Sequence, residues 1–246
     1  MHIGITGGAG TIGTILHTGL KAEHDIVRFD RTAAEGVRAV RLDNAEQVDG
    51  LFDGLQAVIR LAADPDPGAG WQSVRDNNIE ATFQVMEECR RAGVGRVILA
   101  STNHVMHGNA ILTTPETLDP DKELAMTGQD PPNPDSLYAV SKLFGEHLGK
   151  LYSERFAIEF VAMRIGWLVT SDEPGQQKDT PSADYMRAVW LSHRDCVQVF
   201  SRALTAPLRF FVAYATSDNT RNIYDLSETR RILGYQPRDN AEPAFA

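Results

Sequence analysis

Met1-His2-Ile3-Gly4-Ile5-Thr6-Gly7-Gly8-Ala9-Gly10-Thr11-Ile12-Gly13 opens the chain, and its reading decides the fold. Met1–Thr6 reads as a strand, a glycine-rich turn follows, and a helix runs on to about Lys21. Gly7, Gly10 and Gly13 stand in the spacing G-x-x-G-x-x-G. Glycines so placed let the backbone turn tightly and come close to a pyrophosphate, whose charge then sits at the helix N-terminus. A glycine pattern alone is weak. This one follows a strand and opens a helix, which is the context the motif requires.

Outward from this turn, short apolar runs alternate with helical patterns. Strands are predicted over Asp25–Phe29, Ala39–Leu42, Ala57–Leu61 and Arg96–Ala100. Helices are predicted over Ala45–Phe52 and Trp71–Ala92, the second with Val74, Ile79, Phe83, Val85 and Met86 as core positions. This rhythm implies an α/β fold, a doubly wound parallel sheet covered on both faces. Asn109–Asp135, with five prolines, reads as a functional loop. Beyond it come a helix over Ser136–Phe156, a strand over Ile158–Ile165 and a polar loop over Ser171–Ser182. A helix within Tyr185–Leu204, a strand over Phe210–Tyr214, a helix over Leu226–Leu233 and an irregular tail from Gly234 complete the chain.

Composition narrows the function classes. The chain has 246 residues, enough for one domain that needs no disulfide or structural metal. Lys and Arg total 24 against 33 Asp and Glu, a net charge of −9. That balance argues against nucleic-acid partners and attraction to anionic membranes. Cys89 and Cys196 form neither CxxC nor a metal spacing, so free core thiols in a reducing compartment are expected, and no metal. No signal peptide and no membrane span is read, and the expected location is the cytoplasm.

Further residues join the phosphate cradle of Gly7, Gly10, Thr11, Ile12 and Gly13. Asp30 ends the second strand seventeen residues after Gly13. A carboxylate there accepts hydrogen bonds from ribose hydroxyls and repels a 2′-phosphate, which favours NAD over NADP. Arg31 beside it softens the preference. Asp43 and Asn44 follow the third strand, facing either an adenine edge or only a turn. Leu61-Ala62-Ala63 end the fourth strand with small residues that let a cofactor pass closely. Tyr138 and Lys142, at i and i+4, share one helix face. An ammonium near a phenol favours the phenolate, and the pair can then take a proton from a substrate hydroxyl. Ser101-Thr102 end the fifth strand.

With these motifs in this order, the chain resembles the extended short-chain dehydrogenase/reductase superfamily. Ala100-Ser101-Thr102-Asn103-His104, Leu137-Tyr138-Ala139-Val140-Ser141-Lys142, Arg164-Ile165-Gly166, Trp190-Leu191-Ser192 and Leu233-Gly234-Tyr235-Gln236-Pro237 narrow the likeness. They resemble the NAD-dependent sugar 1-dehydrogenases, among them uronate dehydrogenases and the haloarchaeal glucose-6-phosphate dehydrogenase. The resemblance implies a Rossmann-type sheet with a reduced C-terminal substrate-binding part. It places substrate segments at about 104–136 and 167–246 of a single NAD-binding domain.

The resemblance also implies roles. Tyr138 is the general base, Lys142 its electrostatic partner and ribose contact. Thr102, where relatives have Ser, positions the substrate hydroxyl. Asn103 and His104 contact sugar hydroxyls, and Asp64, Gly166 and Trp167 join them. Asn78, Ser101 and Ile165 lie with the cofactor. Uronate dehydrogenases carry an arginine shortly before the Trp-x-Ser segment, and that position here is Tyr185. Arg187, two residues on, is the remaining candidate for an acid group.

The expected reaction is oxidation of the anomeric hydroxyl of an aldose-type sugar to its lactone. An acidic sugar (a uronate or a sulfonated hexose) or glucose 6-phosphate is the expected substrate. The rivals are a nucleotide-sugar epimerase or dehydratase with tightly held NAD, and a non-catalytic cofactor sensor on the same fold. The helices Trp71–Ala92 and Ser136–Phe156 correspond to those that pair superfamily subunits, so a homodimer is expected.

Overall fold

The structure is a computed structural model that describes residues 1–108 and 126–246. Seven strands form one parallel sheet flanked by helices: β1 (His2–Thr6), β2 (Asp25–Asp30), β3 (Val37–Ala39), β4 (Ala57–Arg60), β5 (Arg96–Thr102), β6 (Glu159–Ile165) and β7 (Phe210–Ala215). Their order is β3-β2-β1-β4-β5-β6-β7. The crossovers reverse direction between β1 and β4, the switch point at which such sheets bind ligands beyond their strand ends. The expected doubly wound Rossmann-type fold is thus found.

The chain divides into two compact units. The first is Met1–Ser101, Ser136–Ala162 and Pro207–Val212. The second is Thr102–Asp135, Met163–Ala206 and Ala213–Ala246.

In the first unit, α1 (Thr11–Leu20) follows the glycine turn and buries Gly13, Leu16 and Leu20. The third strand lies earlier than expected. β2 ends at Asp30 opposite Ala39, so the ladder stops there, although Val40 and Leu42 go on into the core. The helix expected over Ala45–Phe52 shrinks to α2 (Ala45–Val48). Gly50 at φ +70° breaks it, and Leu51 and Phe52 reach the core from turns.

Trp71–Ala92 is helical but not uniform. α3 (Trp71–Val74) and α4 (Ala81–Arg91) are joined by a π-helical turn, Arg75–Glu80. Wider turns of this kind often mark functional positions. The turn rotates the faces: Asn78 becomes 1% exposed, while Phe83, expected in the core, is 41% exposed. Ile79 is half-buried. Helix α5 (Leu137–Arg155) is capped by Ser136, whose hydroxyl accepts from Ala139 N at 3.2 Å. The apolar core gathers Phe29, Phe52, Val58, Val85, Val97, Leu99, Phe160 and Ala162 among others.

In the second unit, the expected single helix is two, α6 (Ala183–Val189) and α7 (His193–Thr205). Trp190 turns extended between them and Ser192 caps α7. α8 (Ser227–Leu233) ends at Gly234 in the left-handed conformation. The tail beyond is irregular yet held: buried Asp195 accepts the backbone N–H groups of Arg238 and Asp239 at 3.0–3.1 Å. The described part of the expected loop, 126–135, carries no helix or strand. Its earlier residues, 109–125, lie outside the described residues. Cys89 and Cys196 are both buried and free. No described helix is long and apolar enough to cross a membrane.

Candidate active site

The first unit holds the cofactor candidates apart from Ile165. Gly7 sits at φ +70°, where an added Cβ would lie 2.7 Å from Ala62 N. A Cβ on Gly13 would lie 2.4 Å from the Gly7 carbonyl oxygen. The turn therefore closes only with glycine at both places. Helix α1 then starts at Gly10 without a capping side chain and without an acidic residue in its first turn. An uncapped helix start on a tight glycine turn is the geometry that suits a pyrophosphate, so the residues fit NAD. Thr11, Ile12 and Gly13 form that first turn.

Asp30 Oδ2 accepts from Ala9 N at 3.1 Å, which ties the end of β2 to the glycine turn. Its Oδ1 takes Thr32 N at 3.3 Å, and Arg31 points outward into solvent. Asp43 pairs with Arg41 at 2.7 Å. Asn44 Oδ1 accepts from Gln47 N at 3.3 Å and so caps α2. Leu61 N bonds Thr6 O at 3.2 Å, and Ala62 N meets Thr6 Oγ1 at 3.4 Å. The segment Leu61-Ala62-Ala63 is thereby held beside β1. Asp64, expected among the substrate contacts, accepts from Ser73 Oγ and from Asp66 N.

Asn78 holds this region together. Its Oδ1 accepts from Asp64 N at 2.7 Å, and its Nδ2 donates to Asp64 O and to Ser141 Oγ at 3.0–3.1 Å. Both ends of the amide are engaged, so its visible role is to position the loop after β4 against α5. Ser101 Oγ donates to Glu146 at 2.5 Å.

Tyr138 and Lys142 are both nearly buried on α5, at 8% and 5% exposure. Lys142 Nζ donates to Ala100 O at 2.8 Å and lies 5.6 Å from the Tyr138 ring centre. Burial, with nearby Arg60 adding its positive charge, lowers the Lys142 pKa to about 7. Arg60 itself is fully buried, and burial lowers it to about 9. Its Nη2 bonds Asn77 O and Thr82 Oγ1, while Nε and Nη1 have no hydrogen-bond partner. Reading the sequence did not single out Arg60, because strand β4 is apolar around it.

The second unit holds the substrate candidates. Thr102 Oγ1 accepts from His104 N at 3.2 Å and so caps a 3₁₀ turn over Asn103–Val105. Asn103 Nδ2 donates to the Tyr185 hydroxyl at 2.9 Å, and the Tyr224 hydroxyl lies 3.4 Å from that of Tyr185. Burial pushes both phenols up, so both are neutral donors. His104 Nδ1 meets Asp135 Oδ2 at 2.8 Å, and His107 Nδ1 meets the same oxygen. Burial holds His107 below the usual imidazole range. His107, Asp135 and Tyr224 escaped the sequence reading, since only the fold brings them to His104 and Tyr185.

Ile165 ends β6, buried. Gly166 N bonds Ala215 O at 2.9 Å, and a Cβ there would stand 2.0 Å from Val189 O. Trp167 pairs with Trp190 through backbone bonds of 2.8 and 3.0 Å. Arg187 is committed elsewhere: its guanidinium pairs with Glu242 and Asp184 and lies 5.5 Å over the Phe245 ring.

A family model described as NAD dependent epimerase/dehydratase family matches residues 3–197. The chain belongs to the NAD dependent epimerase/dehydratase family. Within this family the chain is 41% identical to an L-arabinose 1-dehydrogenase (NAD(P)(+)) of Haloferax volcanii, over 98% of this chain and 97% of that protein. It is 39% identical to an NAD-dependent glucose-6-phosphate dehydrogenase of the same organism, over 79% of this chain and 72% of that one. A solved glucuronic acid dehydrogenase from Chromohalobacter salexigens superposes with TM-score 0.83 at 29% identity, covering 98% of this chain and 86% of that one. The protein is an NAD-using oxidoreductase of the epimerase/dehydratase family.

Proposed function

We propose that the chain oxidises the anomeric hydroxyl of a free, neutral aldose to the lactone. The observation that carries this reading is the buried Tyr138–Lys142 pair, with Lys142 fixed on the Ala100 carbonyl. Tyr138 takes the proton of the C1 hydroxyl as the C1–H bond breaks and the C1–O bond becomes a carbonyl. NAD, when bound, accepts the hydride. Lys142 favours the phenolate of Tyr138, and Thr102 and His104 hold the sugar hydroxyls. Gly7, Gly10, Thr11, Ile12 and Gly13 hold the pyrophosphate, and Asp30 the adenosine ribose.

The sequence favoured an acidic sugar. Three observations favour a neutral one. The position at which uronate dehydrogenases carry an arginine holds Tyr185, a buried neutral phenol. Arg187 is already paired with two carboxylates. Asp135 adds negative charge beside His104, which opposes a sugar acid. The relative of highest identity quoted above acts on a neutral pentose by its name, in keeping with this reading. Initial rates separate the two. Neutral pentoses and hexoses are expected to give NADH at higher kcat/KM than glucuronate, galacturonate or glucose 6-phosphate. Faster turnover of an anionic sugar would return Arg187 to the site.

A homodimer and a cytoplasmic location belong to the same proposal. Every exposed large apolar residue described except Met1 lies between Trp71 and Phe83 or between Leu137 and Phe156: Trp71, Phe83, Leu137, Val140, Leu151 and Phe156. An apolar face of this kind on two helices suits a second copy of the chain. Light scattering is expected to give the dimer mass, and the double variant Phe83→Glu/Val140→Glu the monomer mass. A monomeric wild type would refute the pairing.

A further inference from the structure

His104 and His107 lie three residues apart on the 3₁₀ turn and the residues that follow it. Two backbone bonds bring the segment after the proline-rich loop against them: Asn133 N to Val105 O at 2.9 Å, and Gly108 N to Asn133 O at 3.2 Å. A Cβ on Gly108 would stand 2.9 Å from Asn133, so the approach depends on glycine. Asp135 is thereby fixed opposite the two rings. One ring nitrogen of His104, one of His107 and a carboxylate oxygen of Asp135 all lie within 4.8 Å of one another. The His107 ring packs on Tyr185 at 4.7 Å between centroids, and the Tyr185 hydroxyl is itself held by Asn103. The three side chains are 16–25% exposed, so the cluster is shielded yet reachable from solvent.

We propose that His104, His107 and Asp135 bind one transition-metal ion of the Zn²⁺ class, and that this ion and the sugar compete for His104. The competition half rests on the function proposed above; the binding half does not.

The donor set selects the ion. Two imidazoles and one carboxylate suit Zn²⁺, Co²⁺ or Ni²⁺, whereas Mg²⁺ and Ca²⁺ want oxygen alone. Three protein ligands leave the fourth tetrahedral position for water, the pattern of an open rather than a structural site. Metal–ligand bonds of about 2.0–2.2 Å at tetrahedral angles set the donor atoms roughly 3.4 Å apart, a spacing that modest side-chain rotations reach from this cluster. All three donors converge on one point: both Nδ1 atoms address the same oxygen of Asp135. The ion would take the Nδ1 and the orientation of His104, which the sugar reading needs for itself.

Reading the sequence gave no hint of a metal. The His104-x-x-His107 pair is short and common, and its third ligand stands 28 residues further on in the chain.

The test uses untagged, chelator-treated protein and Co²⁺ as the probe. Wild type is expected to develop saturable visible d–d bands at one Co²⁺ per chain, erased by added Zn²⁺. Outer partners of metal ligands alone carry about 10–100-fold in affinity, so loss of a ligand should weaken binding by more than about tenfold. His107→Ala is the main variant, and His107→Gln keeps bulk against Tyr185 should the alanine fail to fold. Both are expected to lose the bands. In the NADH assay Zn²⁺ is expected to raise the apparent KM for the sugar in wild type and not in the His107 variants. Absent bands, or equal bands in the His107 variants, would overturn the site. Bands with no effect of Zn²⁺ on KM would overturn the competition. A protein that oxidises no free sugar still reports the metal through Co²⁺, so the two readings fail separately.

Discussion

Tyr138→Phe is expected to lower kcat by about 10²–10⁴-fold, the usual worth of a general base, and to leave NAD affinity within a few-fold of wild type. The substitution removes one hydroxyl and keeps the ring, which is 8% exposed on a helix that Ser136 caps. The Lys142 hydrogen bond to Ala100 does not pass through that hydroxyl. A cofactor titration followed by fluorescence, run beside the rate assay, checks both halves. Turnover within tenfold of wild type would remove Tyr138 from the chemistry. A parallel loss of NAD binding would make its role structural.

Lys142→Met is expected to cost more than about 100-fold in activity and, in the NAD-free protein at pH 7, to raise the melting temperature. Lys142 is 5% exposed, and its pKa falls to about 7 against about 10.4 for a free lysine. The folded state therefore resists carrying this ammonium. Above about pH 10 neither state is charged there and the penalty vanishes. Between about 7 and 10 the unfolded chain binds a proton that the folded chain does not, so wild-type stability rises with pH across that window. Below about 7 both states are protonated and the penalty is complete. Methionine fills a similar volume without the charge and should release a few kcal/mol of it, an order of magnitude set by the pKa difference. Melting curves of wild type and variant at pH 7 and pH 9 measure this. The gain should be larger at pH 7. A variant less stable than wild type at pH 7 would mean that the bond to Ala100 outweighs desolvation. A buried cation that weakens the fold but sits beside Tyr138 is what a site kept for chemistry looks like.

The parts of this protein that were legible in its sequence are those encoded locally. The glycine spacing Gly7-x-x-Gly10-x-x-Gly13 states its own turn, and the tight approach to Ala62 explains why a side chain is barred at Gly7. Tyr138 and Lys142 share a face because a helix repeats every 3.6 residues. The doubly wound parallel sheet followed from the alternation of strands and helices and from the family resemblance. What could not be read depends on distant residues meeting. Arg187 looked available for an acid group, yet Glu242, 55 residues on, pairs with it. The cluster of His104, His107 and Asp135 forms only because Asn133 bonds back to Val105. Helical periodicity placed Phe83 inward, but the π-turn before α4 carries it out and carries Asn78 in. The Lys142 ammonium is disfavoured first by burial and then by Arg60 from strand β4, which no pattern in the helix reveals.

The central claim is that C1 of a free aldose gives up its hydride. It is tested most directly with sugars deuterated at C1. Chelator-treated enzyme is incubated with NAD and C1-deuterated L-arabinose, D-xylose and D-glucose in turn, and the NADH and sugar products are examined by mass spectrometry. The account predicts NADH carrying one deuterium and an equal amount of lactone or its acid from at least one of them. NADH without deuterium, or no NADH from any free sugar while NAD still binds, would contradict it and move the site to a nucleotide-linked sugar.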